Sequence, residues 1–194
     1  FLLLALATGL TNGVGVMASQ FFGAKNADAF RKNLSTACFT LLGAGILITI
    51  LGVLTSRPLL AGLLQADASI LDDALLYLRI YCIGLVFQFA YNTFAAILRS
   101  IGDSRSTMYF LLIATVVNIV LDLIFVQFWQ VAGVAWATVI AQAVSAITAG
   151  IYLFRKVELA KFRKGQFRFH KEMFTMSLRL GVPTSIQQCS VGLG

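Results

Sequence analysis

Polar and hydrophobic positions in this chain segregate into long blocks instead of alternating. Residues 1–24, 33–56, 80–98, 106–121 and 123–154 contain no charged side chain. A helix crosses about 30 Å of hydrocarbon with roughly 20 apolar residues. The blocks therefore predict spanning helices at 2–22, 33–55, 76–98, 106–127 and 131–154, with a further one starting near Leu180. The last block is too long for one span, and the polar, aromatic stretch 127–130 predicts a tight turn inside it. The fold class expected is an all-α integral membrane bundle of five full transmembrane helices plus the start of a sixth.

Composition names the same solvent. Hydrophobic residues make up 59% of the chain and charged residues 12%, with a mean hydropathy of +0.86. Water-soluble domains carry about twice that charged fraction. The chain starts without Met and stops within an apolar run, which reads as a fragment of a longer protein. Residues 1–9 have no basic flank, so they do not read as a signal peptide.

The net charge of +7 is distributed by connection. Thirteen Lys and Arg residues fall in or beside the first, third and fifth connections. Only Arg57 and Arg79 flank the second and fourth. Such alternation follows the positive-inside rule. It predicts a cytoplasmic location for the odd connections, with Phe1 on the outer side, and it excludes a nucleic-acid partner. The segment 155–179 is basic with interspersed aromatics, as expected either of an interfacial segment lying on anionic lipid or of a plain positive-inside cytoplasmic linker. Its His170 reads as a solvated loop residue. Local signals predict Asp28 as the cap of the second helix, Gly102 as the stop of the third, and Asp103 or Ser104 as the cap of the fourth.

Small residues recur every four positions at Gly133, Ala137, Ala141, Ser145 and Ala149, a stripe that admits a neighbouring backbone in lipid. Gly9 and Gly13 begin a similar face. Cys38, Cys82 and Cys189 are widely separated and read as buried thiols without metal spacing. No catalytic constellation, phosphate loop or metal cluster is present in the sequence, so no enzyme and no cofactor is expected.

Asp122 is the residue most expected to carry chemistry, because a carboxylate inside a membrane usually faces protein or a wet cavity. Asn118 lies one turn earlier on the same face, and Thr115 extends it. If the fourth and fifth spans pair antiparallel, Asp122 comes level with Thr138, and Asn118 with Gln142. The cluster then suits a proton or Na⁺, or hydrogen bonds to another helix. Gln88 and Asn92, with Arg99, on one span and Thr8, Thr11 and Asn12 on another are candidates to line a solute cavity or to hydrogen-bond between helices.

Five stretches occur in order: 18–26 (ASQFFGAKN), 97–105 (ILRSIGDSR), 118–122 (NIVLD), 132–142 (AGVAWATVIAQ) and 180–183 (LGVP). Together they resemble the MATE family, the multidrug and toxic compound extrusion transporters, and within it the DinF-like branch. The resemblance implies two six-helix lobes around a cleft. Residues 1–154 would be family helices 2–6, 155–179 the link between lobes, and 180–194 the start of helix 7. It implies an antiporter in the cell's inner or plasma membrane, exporting organic solutes against entering H⁺ or Na⁺. The family's first-lobe cation site draws an Asp from helix 1, an Asn and an Asp from helix 5 and a Thr from helix 6. Asn118, Asp122 and Thr138 match the last three. Trp136 stands where a smaller residue is expected. A lipid-linked saccharide flippase of the wider superfamily, a polytopic receptor or subunit, and a channel are the competing readings.

Overall fold

The computed structural model describes residues 2–58, 60, 68–161 and 167–193, with side chains left undescribed at 2–8, 68–70 and 188–193. The elements are α1 (Leu2–Gly23), α2 (Ala27–Pro58), α3 (Ala68–Ser100), α4 (Ser104–Lys156), a 3₁₀ turn (Glu158–Ala160) and α5 (Lys171–Leu193). Among the described residues, α2, α4 and residues 71–100 of α3 are long and apolar enough to cross a membrane. Their outer faces are correspondingly apolar: Leu54 is 71% exposed, Leu123 64% and Leu47 57%. Such a surface suits hydrocarbon and not water.

Two connections use one device. Lys25 has φ 53° and Gly102 has φ +91°. In the first, Asn26 N–H donates to Phe21 C=O and Lys25 N–H to Phe22 C=O; in the second, Asp103 N–H donates to Leu98 C=O and Gly102 N–H to Arg99 C=O. Each is a Schellman closure that satisfies the last carbonyls of a helix. The next residue then caps the following helix, since Asn26 Oδ1 accepts from Ala29 N–H and Asp103 Oδ1 from Ser106 N–H. Gly102 and Asp103 thus act as expected, but the cap of α2 is Asn26 and not Asp28. The left-handed turn at Lys25 starts the helix at Ala27, so Asp28 lies inside its first turn and pairs with Lys32 at 3.0 Å.

The 53-residue α4 holds two spans. Only Gln130 leaves helical geometry, at φ 45° and ψ −120°. The limbs 104–129 and 131–156 fold against each other, because Gly133 leaves no room for a Cβ beside the Phe125 carbonyl. At the other end the Phe110 and Tyr152 rings lie 5.3 Å apart.

The predicted small-residue stripe is buried along the second limb, with Gly133 against the first limb and Ala149 against α3, and neighbours of the stripe also pack on α3. Ala135 and Val139 cluster with Ile80, and Ala146 and Ala149 with Tyr91 and Ala95. The largest core cluster joins Val14 and Ala18 of α1, Phe30 and Leu34 of α2, Ile97 and Leu98 of α3, and Leu153 of α4. It sits at the end of the bundle that carries the basic connections. Trp136, on the same limb as the stripe, points outward at 39% exposure.

Gly9 and Gly13 do form a close-approach face, against α5. A Cβ on Gly13 would lie 2.5 Å from the Ser177 carbonyl, and one on Gly181 would lie 2.7 Å from the Gly9 carbonyl. α5 starts at Lys171, before the apolar run that marks Leu180 in the sequence. The chain leading into it is docked on α2: Ser35 Oγ donates to the Arg168 carbonyl at 2.7 Å and His170 N–H to Thr36 Oγ1 at 3.2 Å. His170 is therefore half-buried against a helix and not a solvated loop residue. The Phe39 and Phe167 rings, 4.8 Å apart, extend that contact.

Candidate functional site

Asn118 and Asp122 lie on the first limb of α4, one turn apart, and both are partly buried. Gln130 is the turning point, so residues equidistant from it on the two limbs come level. Asp122 and Thr138 are each eight residues away; Asn118 and Gln142 are each twelve. The Phe125–Gly133 and Phe110–Tyr152 contacts, offset by two residues in opposite senses, bracket that register at the two ends.

Three side-chain atoms in this layer are buried without a hydrogen-bond partner: Asn118 Nδ2, Asp122 Oδ1 and Gln142 Oε1. Leaving such an atom unsatisfied costs about 1–3 kcal/mol, so each orphan calls for an explanation. Two are acceptors, one of them a carboxylate. Acceptor oxygens of this kind can hold a small hard cation, and the carboxylate can take a proton.

The remaining candidates fall in several places. Thr138 Oγ1 donates to Val134 C=O of its own helix and makes no bond to Asp122. Thr115 is exposed and donates to Leu111 C=O, so it faces away from the site. Gln142 packs over α3, where its Oε1 lies 2.5 Å from the position a Cβ would take on Gly84. The missing side chain at Gly84 makes the room for that amide.

Thr11 and Asn12 of α1 meet Arg99 of α3 in a polar niche of about 290 Å³, together with Ser19 and Ser100. Gln88 and Asn92 are half-buried elsewhere on α3 and do not line it. Thr8 lies outside the described side chains. Cys38 and Cys82 are buried, and the Cys189 side chain also lies outside the described ones.

Several polar residues lie in the core without a sequence expectation, among them Ser35, Ser56, Thr93 and Asn33. Asn33 is 1% exposed and donates through Nδ2 to the Val14 carbonyl at 3.1 Å, tying α2 to α1. An amide at the start of an apolar run gives no sequence signal beyond its polarity.

The MatE family model matches residues 1–124, more than half of the chain. The chain belongs to the MATE family. It is 30% identical over 203 residues to the probable multidrug resistance protein YoeA of Bacillus subtilis, covering 100% of this chain and 43% of that protein. It is 28% identical over 197 residues to the multidrug export protein MepA of Staphylococcus saprophyticus, again covering 43% of the relative. A crystal structure of MATE in the bent conformation superposes with a TM-score of 0.88 at 26% identity, over 99% of this chain and 43% of that one. The chain thus spans less than half the length of these MATE proteins. The fold is an all-α membrane bundle corresponding to most of one MATE lobe.

Proposed function

We propose that this chain forms the first lobe of a secondary antiporter that exports organic, often cationic or amphipathic solutes, driven by entry of H⁺ or Na⁺. The observation that carries the coupling is the pair Asp122 Oδ1 and Asn118 Nδ2, buried without partners one turn apart on a spanning helix. Relatives named for multidrug resistance and export support the transport part. In this reading α1 to α5 are family helices 2–7, and the basic segment 155–179, whose last part already belongs to α5, links the lobes. The basic connections lie in the cytoplasm of a multi-pass inner or plasma membrane protein. The bilayer, the solute and the rest of the same polypeptide are its partners.

A carboxylate that binds the ion in only one conformation can bias alternating access, because a ligand shifts an equilibrium only through differential affinity. Asn118, one turn from Asp122, and Thr138, level with it by count from Gln130, would complete the ion's coordination, with Gln142 at the next level. The test uses the full-length transporter in proteoliposomes, with efflux of a fluorescent organic cation driven by an imposed pH or Na⁺ gradient. Asp122→Asn should lower gradient-driven flux at least about fivefold, while the outward-facing control Thr115→Ala leaves it unchanged. Full gradient response in Asp122→Asn removes the coupling role. No solute flux in the wild type under either gradient removes the transport reading itself.

A further inference from the structure

The second limb of α4 carries a ridge formed by Ile147, Ile151 and Arg155, which stand four residues apart and share one face. Ile147 is 56% exposed and Ile151 49%. A groove runs along each side of the ridge. The first, of about 600 Å³, lies toward α3, with Phe87 and Phe94 on its walls. The second, of about 530 Å³, lies toward the first limb, with Phe110 and Tyr152 on its walls. Gly150 lines the first groove, and the Phe94 ring lies 3.1 Å from where a Cβ on it would stand. Both grooves include Ile151, and both end at Arg155.

Among the described residues no carboxylate lies within ion-pairing distance of Arg155. Glu158 is exposed and makes no ion pair among the described residues. Lys156 lies beside the second groove and donates one hydrogen bond to Tyr152 Oη at 2.8 Å. An ammonium has three donors, so two remain. Asp103 acts on Lys156 through its charge, but its carboxylate is already held by Tyr152 and Ser106.

Two apolar channels converging on a cation, on an exposed face of a spanning helix, match one kind of molecule. We propose that this face is a binding site for an anionic diacyl phospholipid, with one acyl chain in each groove astride Ile151 and the phosphate on Arg155 and Lys156. Ordinary lipid contact requires neither the paired grooves nor the unpaired guanidinium. The guanidinium fork suits a phosphate bidentately.

The full-length transporter, purified in detergent, is titrated with an equimolar mixture of phosphatidylglycerol and phosphatidylcholine of matched acyl chains, and retained lipid is counted by native mass spectrometry. Phosphatidylglycerol should be retained about fivefold or more over phosphatidylcholine. Arg155→Gln should bring the ratio near unity and Arg155→Lys should keep most of the preference. Ile151→Trp, which fills both grooves from an exposed position, should reduce retention of both lipids. A single-chain lysophosphatidylglycerol should bind more weakly than the diacyl form, and soluble glycerol phosphate should not compete. Equal retention of the two lipids by the wild type, or an unaltered preference in Arg155→Gln, overturns the proposal. So does displacement by glycerol phosphate, which would make the site one for a free anion. A dimer that Ile151→Trp dissolves would assign the face to a second copy of the chain and also overturn it.

Discussion

Tyr152 donates its phenolic hydrogen to Asp103 Oδ2 across 2.7 Å, and so joins the two ends of the α4 hairpin. Ser106 and Lys156 both donate to the same phenol oxygen at 2.8 Å. Asp103 also caps the first limb. One aromatic side chain thus gathers a cap, a hydroxyl and an ammonium at the basic end, while Gln130 turns the chain at the other.

Burial raises the Asp103 carboxyl, but the hydrogen bonds from Tyr152 and Ser106 and the nearby Lys156 charge outweigh it and hold it below the ordinary aspartate range. A group with a lowered folded pKa adds stability above its ordinary value, and that stability is lost as pH falls through the folded value. Tyr152→Phe should lower the stability of the full-length transporter by about 1–2 kcal/mol at neutral pH. The deficit relative to wild type should shrink below the ordinary aspartate range. Melting temperatures in detergent across pH test this, and a deficit independent of pH counts against it.

Lys25 and Gly102 occupy the same left-handed position in equivalent turns. A side chain there costs about 1 kcal/mol. Lys25→Gly should therefore stabilise the protein by up to that amount and Gly102→Ala should destabilise it by a similar one. Chemical denaturation of each variant gives the signs. Two changes of the same sign would show that the shared geometry does not govern these turns.

The crossing of α1 and α5 rests on backbone meeting backbone. Gly13→Ala and Gly181→Ala should each cost about 1–3 kcal/mol through overpacking. They enlarge the same contact, so the double variant should cost clearly less than the sum. Additive losses in a thermal-shift series would mean that the two positions are relieved independently.

Ser35 and Thr36 hold the chain before α5 through two hydrogen bonds to its backbone. Ser35→Ala with Thr36→Val should release it at about 1 kcal/mol per bond. Limited trypsin digestion should then cut at Arg168 or Lys171 several-fold faster than in wild type, local opening being governed by such free energies. Unchanged cleavage would assign the docking to the Phe39–Phe167 contact instead.

Much of this architecture was legible in the sequence because the bilayer imposes it. Uncharged runs marked the spans, Gln130 fell within the predicted turn, and Gly102 and Asp103 closed one helix and opened the next. Local competition among equivalent signals was harder to read. Asn26 and Asp28 are both competent caps, and only the left-handed Lys25 decides between them. The start of α5 was hidden because Lys171 and Glu172 can extend a helix beyond its apolar stretch, and the docking on α2 uses backbone atoms that leave no mark in composition. At the candidate site, polarity inside an apolar run pointed to Asn118 and Asp122. Side-chain direction was not so accessible: Thr115 turns outward, and Thr138 bonds its own helix.

The hairpin of α4 reverses at one residue. That turn therefore offers almost no irregular polypeptide for another molecule to grip. Antibodies, proteases and epitope tags that need a loose stretch will find none there, and binders against this lobe are better raised to the flanking exposed aromatics, Phe128 and Trp129.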